Sequence, residues 1–178
     1  MADEKKEKWM TYLALTTVLI AVCATLSTFK GGGFGSRSLL NQTLASDQWA
    51  LYQSKSIKSY IFENQIDNLE LQQDLISKSA TKEDIAKYQT RINGYKGKIK
   101  QYEVDKAVAM QKARAFEQVS ATSKRHGDAF GIAVIFLQIS ILLSSIGALT
   151  KKRMVWYLSL VVGVMGVVYF LDGFWMFL

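Results

Sequence analysis

The sequence predicts an all-α membrane protein, with three transmembrane helices and a long extramembrane, coiled-coil-like helical hairpin between the first and the second. Three observations point there. Apolar runs occupy residues 10–29, 129–149 and 154–178, each near the roughly 20 residues a helix needs to cross a hydrocarbon core of about 30 Å. The insert between the first two runs is polar and repeats its apolar residues at helical spacing. The chain contains no Pro, so nothing in it forces a helix to stop.

Residues 1–9 form a short tail with Lys5, Lys6 and Lys8, read as cytoplasmic, and residues 10–29 the first span. Ile20-Ala21-Val22-Cys23 resembles a lipoprotein cleavage box, but Val22 has the wrong size for that position, so the run is expected to stay as an anchor. Cys23 then sits mid-span as a small packing residue. Residues 30–36, with Gly31-Gly32-Gly33-Phe34-Gly35, read as a Gly-rich hinge. They are no phosphate loop, because no strand precedes them and no Gly-Lys-Ser/Thr follows.

Residues 37–128 are expected to form the hairpin. Its first arm carries Leu40, Leu44, Trp49, Tyr52, Phe62, Ile66, Leu69 and Ile76 at mostly helical spacing. Thr81-Lys82-Glu83-Asp84 offers the start of the second, with Thr81 as cap and Asp84 three residues on. In that arm Ile85, Tyr88, Ile92, Tyr95, Ile99 and Tyr102 alternate at spacings of three and four, and the frame continues through Lys106, Ala109, Ala113, Phe116 and Ser120. This is a coiled-coil seam, read as the line along which copies associate. Lys106 is its charged intruder, expected to snorkel, with a register-fixing ion pair as the alternative. Gly94 and Gly97 lie off the seam, where either another helix approaches or the arm bends. At 1.5 Å per residue each arm reaches roughly 65 Å, so a hairpin returns the chain to where it left the membrane.

Residues 129–149 are the second span, 150–153 a basic turn with Lys151, Lys152 and Arg153, and 154–178 the third span. The tail and this turn share one side, which the positive-inside rule makes cytoplasmic, leaving the insert and the C-terminus extracytoplasmic. Trp9, Trp156 and Trp175, with Tyr12 and Tyr157, mark interfaces. Small residues repeat every four positions at Ser140, Ser144 and Ala148, at Ser159 and Gly163, and at Thr17, Ala21 and Thr25, lines suited to close helix contact. Gln138 lies mid-span, where its amide must meet a neighbouring helix or water. Asp172 is expected near the outer interface, ion-paired with one of Lys30, Lys124, Arg125 or His126.

Composition excludes several classes. One His (His126) and one Cys leave no metal site, disulfide framework or Cys/His catalytic pair, and no cofactor is implied. The net charge of +7 fits basic flanks facing anionic lipid, and without a base-reading motif it does not indicate nucleic acid. Asn41-Gln42-Thr43 is a chance-level glycosylation match. Asp47, Gln48, Trp49, Tyr52, Lys55 and Ser56 crowd polar groups around an indole, either a small-molecule or interaction site or a solvated helix face.

The stretch Ala45-Ser46-Asp47-Gln48-Trp49-Ala50-Leu51-Tyr52-Gln53-Ser54-Lys55-Ser56-Ile57-Lys58 resembles the hallmark of an uncharacterised family of bacterial membrane proteins catalogued as a domain of unknown function. The segments Phe130-Gly131-Ile132-Ala133-Val134, Gln138-Ile139 and Leu149-Thr150-Lys151-Lys152 are similar to that family's second span and turn. The resemblance implies a bacterial inner-membrane protein with a span, a helical insert and two further spans. It transfers no activity, and it makes Asp47, Gln48, Trp49, Tyr52, Lys55, Ser56 and Gln138 the positions to test.

The function expected is that of a non-enzymatic, oligomeric scaffold or an accessory subunit of a heteromeric membrane complex, with membrane lipids and further copies of itself as partners. A channel or transporter with Gln138 and Asp172 near the path is one alternative. A sensor with a separate output partner is the other.

Overall fold

The computed structural model describes residues 2–76 and 81–177, with side chains from Lys8 onward in the first segment. The side chains of Lys5 and Lys6, residues 77–80 between the two arms, and Leu178 lie outside what is described. Among the described residues there are three helices and no strand: α1 (Ala2–Ile76), α2 (Lys82–Thr150) and α3 (Arg153–Trp175). Each contains a stretch long and apolar enough to cross a membrane.

α1 runs through residues 30–36 without a break, so the expected hinge is corrected to continuous helix. The glycines there lie on two sides of the helix. A Cβ on Gly31 would stand 3.2 Å from Phe130 Cβ, and one on Gly127 would stand 3.6 Å from the Gly31 carbonyl. These two glycines let α1 and α2 approach, while Gly32, Gly33 and Gly35 face open space. Glycine weakens a helix by about 1 kcal/mol relative to Ala but keeps its N–H, so the hydrogen-bond ladder persists.

The chain forms two compact units, one of Met1–Leu40 with Val119–Leu178 and one of Asn41–Gln118. The first is a three-helix unit built on small side chains. Ile20, Ala24, Ala133 and Leu137 are its apolar centre. Ser140 Oγ donates to the Ser159 carbonyl at 2.6 Å, and the hydroxyls of Ser144 and Ser159 meet at 2.9 Å. A Cβ on Gly166 would stand 2.7 Å from Leu137 Cγ and 3.0 Å from the Leu137 backbone nitrogen, and one on Gly173 would stand 2.8 Å from the Phe130 ring. α3 therefore reaches its place against α2 because side chains are missing there. Lys151 takes φ 54° in the two-residue turn between them. Trp156 Nε1 donates to Thr16 Oγ1 at 3.3 Å, tying α3 to α1. Further along, Ser38 Oγ donates to the Ser120 carbonyl at 3.0 Å and Ser120 Oγ returns a bond to the Ser38 carbonyl at 2.9 Å.

The second unit is an antiparallel pair of arms. Ala45, Ser59, Ile66, Ile92, Ala109 and Ala113 are buried between them, and the Phe62 ring packs against Tyr95 and Tyr102 at centroid distances of 5.1 and 5.9 Å. The seam Ile85, Tyr88, Ile92, Tyr95, Ile99 and Tyr102 is buried or half-buried along its length. Its reading as the line that joins separate chains is corrected, because the first arm of the same chain already covers it. In that arm the inward frame runs through Gln48, Lys55, Ser59 and Gln73 as well as the aromatic and aliphatic residues. Polar occupants thus hide a regular heptad frame. Leu40, counted with the first arm, belongs to the three-helix unit and is exposed.

Thr81 starts α2 as expected of a cap. Its hydroxyl accepts from the Asp84 N–H at 3.3 Å, while the Asp84 carboxylate takes the Thr81 hydroxyl at 2.6 Å and the Thr81 N–H at 3.4 Å. These bonds, led by that from the Thr81 side chain, hold the Asp84 carboxyl below its ordinary range.

Candidate functional site

The polar cluster around Trp49 lies on α1 in the hairpin unit, and most of it reaches across to α2. Trp49 Nε1 donates to Glu117 Oε1 at 2.8 Å, and its ring meets Tyr52 edge-on at 5.7 Å. Lys55 Nζ donates to Asp105 Oδ2 at 2.6 Å and lies 5.2 Å from the centre of the Tyr102 ring. Lys106 Nζ lies 5.6 Å from the Tyr52 ring centre and donates to Glu103 Oε1 at 2.8 Å. The bond to Glu103, more than any other influence, raises Lys106 above the ordinary lysine value. One turn further along, Ser59 Oγ lies 3.3 Å from Glu63 and 3.4 Å from Glu103 carboxylate oxygens.

The site is thus a ladder of indole, phenol and ammonium groups from α1 matched by carboxylates and rings from α2. Cations over aromatic faces and partly exposed ion pairs each contribute modestly, about 0.5–1 kcal/mol. Their chemistry here is to fix the register of the arms. Gln48 and Ser56 are half-buried beside this ladder, and Asp47 is exposed on the other side of α1, so the six residues do not converge on one point. Glu103, Asp105 and Glu117 were not singled out in the sequence, since only the pairing of the arms brings them opposite Ser59, Lys55 and Trp49. Among the described residues, no three His, Cys, Asp or Glu side chains gather as metal ligands.

The two polar residues of the apolar runs behave differently from each other. Asp172 is buried, and its Oδ1 accepts the Phe177 N–H at 2.7 Å, while its carbonyl accepts the Met176 N–H at 2.7 Å. It closes the end of α3, where Met176 turns left-handed at φ 51°. His126 reaches the neighbouring residue, Gly173: Nδ1 donates to the Gly173 carbonyl at 2.8 Å, and the ring stacks on Phe34 at 4.7 Å. Gln138 is exposed on α2 between Ile135 and Leu142, both also exposed.

A family model described as Domain of unknown function (DUF4337) matches residues 9–176. The chain belongs to the DUF4337 family. The DUF4337 match spans α3 and nearly all of α1 and α2, so it takes in the Trp49 ladder, Gln138 and Asp172 together. No curated protein and no solved structure matches the chain.

Proposed function

We propose that this DUF4337 chain is a non-enzymatic membrane scaffold, or an accessory subunit of a membrane complex, that anchors through the three-helix unit and assembles through the hairpin. One observation carries the reading: the three-helix unit packs hydroxyl-bearing and small residues around a narrow apolar centre and turns long apolar side chains outward. Ser27, Ser140, Ser144 and Ser159 are buried in it, while Leu15, Val18, Leu142, Val161 and Val164 are exposed. In water that arrangement leaves apolar surface unburied, whereas hydrocarbon solvates it and leaves helix contact to small residues and hydroxyl bonds. The basic tail and the Lys151–Arg153 turn then lie on the cytoplasmic side of a bacterial inner membrane, with the hairpin outside.

Gln138 supports assembly. An outward amide in hydrocarbon needs a hydrogen-bonding partner, which a second copy or another membrane subunit supplies. The Trp49 ladder supports a rigid arm in preference to a ligand-operated sensor, because its indole and ammonium are held by the opposite arm. Asp172 is engaged at a helix end and Gln138 points outward, which favours a scaffold over a path through one chain.

The test is extraction of the intact complex from native membranes in mild detergent, with its mass and subunit composition measured. A defined homo-oligomer or a stoichiometric complex is expected, together with no ion flux in liposomes. A monomer alone, or flux that falls in Asp172→Asn, overturns the proposal.

A further inference from the structure

Each arm of the hairpin carries a second ordered face, opposite the one that closes the hairpin. On α1 it is aliphatic: Ile57, Ile61, Leu71 and Leu75 are 59%, 49%, 60% and 76% exposed. Asn64 and Asn68 continue the same frame of threes and fours, and Asn68 Nδ2 donates to the Asn64 carbonyl at 2.8 Å, turned onto its own helix. On α2 the outer line is small. It runs through Gly94, Gly97 and Gln101 to Val104 and Val108, all exposed. A Cβ on either glycine would meet nothing within 4 Å. A groove of about 470 Å³ beside Gly97 is walled by Asn93, Lys96, Ile99 and Lys100. One arm therefore presents aliphatic knobs and the other a line that a helix backbone can approach closely.

Charge decides which faces meet. Residues 60–76 carry Glu63, Asp67, Glu70 and Asp74 with no Lys or Arg, and residues 85–102 carry Lys87, Arg91, Lys96, Lys98 and Lys100 with no Asp or Glu. Like arms brought together oppose like charges, so two copies fit only with α1 of one against α2 of the other. Lys96 and Glu70, 3.4 Å apart within one chain, show the same match already made once.

We propose that the hairpins of successive copies dock head to tail, the outer face of α1 in one copy seating on the Gly94–Gly97 face of α2 in the next. The proposal rests on the membrane reading, since anchoring keeps all copies in one orientation and at one height. The register then follows from the hairpin itself. Lys55 reaches Asp105 and Ser59 reaches Glu103, which sets position 57 level with 104, 61 with 101 and 68 with 94. At equal height Ile57 of one copy meets Val104 of the next, and Gly94 receives Asn68. Because the two faces differ, the contact is heterologous and repeats into a ring or a row, where a self-complementary face stops at a dimer.

The experiment uses the full chain with Cys23→Ala as background. Ile61→Cys and Gln101→Cys are introduced singly and together, and the membranes are oxidised. Only the double variant is expected to give a ladder of dimers, trimers and larger species. Dimers formed as readily by either single variant, or no ladder from the double one, overturn the interface. Gly94→Leu with Gly97→Leu gives a second readout of opposite sign: the helix content and melting temperature of the detergent-solubilised protein are expected to rise while its mass falls to one chain. An unchanged mass overturns the proposal. An alkaline wash of the membranes separates the two readings. A chain that washes off yet still forms the ladder removes the membrane reading and keeps the interface, whereas a chain that stays without a ladder removes the interface alone.

Discussion

In the hairpin unit Phe62, Tyr95, Tyr102 and Ile92 lie between the arms, and Lys55 and Asp105 bridge them. In the three-helix unit Phe130 and Leu137 are fully buried as well, but they sit against Gly173 and Gly166 and beside the hydroxyls of Ser140, Ser144 and Ser159. The same two helices contribute to both, so the difference lies in what surrounds them. Where water is the solvent, large rings and aliphatic groups are driven inward and the ion pairs stay at the margin. On the proposed membrane reading the outside is apolar, so most large groups stay outward and the helices are held by close backbone approach and hydroxyl bonds.

The contrast is broken most strongly by truncating a large residue in the hairpin. Ile92→Ala, at a side chain 1% exposed, is expected to destabilise the arms by about 3 kcal/mol. Hydrogen exchange checks it: protection falls across the arms and holds in the three-helix unit, and an equal loss in both defeats the distinction. The reverse substitution, small to large, belongs to the other unit. Gly166→Leu drives a side chain into the Leu137 backbone and is expected to lose about 2 kcal/mol by overpacking, with exchange at α3 rising and the arms unchanged.

Two smaller effects sharpen the hairpin side. Lys55 and Asp105 have side chains 24% and 35% exposed, so a double-mutant cycle with Lys55→Met and Asp105→Asn is expected to give a coupling of about 1 kcal/mol that weakens with salt. The smallest is the Thr81 cap. Asp84 is held below its ordinary value, so its contribution is present above that value and is lost as pH falls through the lowered one. Protection of the amides at the start of α2, taken relative to their intrinsic exchange rate, is expected to fall over that acid window, and Thr81→Ala to remove this pH dependence.

Three long apolar runs and two helical arms were legible because the runs are long, the insert keeps helical spacing and the chain lacks Pro, but the fusion of run and arm into one continuous helix in both α1 and α2 was not. The heptad seam of the second arm was legible because aromatic and aliphatic residues occupy it. The first arm was harder to read, since Gln48, Lys55, Ser59 and Gln73 fill inward positions and erase the hydrophobic period. The Gly-rich stretch misled for a physical reason: Gly31 is small to admit Phe130, and that need is met from the far end of the chain. Of the candidate site, Trp49, Tyr52 and Lys55 were visible as unusual residues. Their partners Glu117 and Asp105 were not, because the register of an antiparallel pair is not written in either arm alone.

The reciprocal bonds between Ser38 and Ser120 limit how these helices move. Each hydroxyl holds the other residue's carbonyl, and the two oxygens stand 3.1 Å apart. A shift of one helix along the other by a single residue is about 1.5 Å, and it stretches both bonds together. Sliding of α1 against α2 at this level therefore strains the serine pair as a unit, whereas rotation about the pair lets both bonds persist.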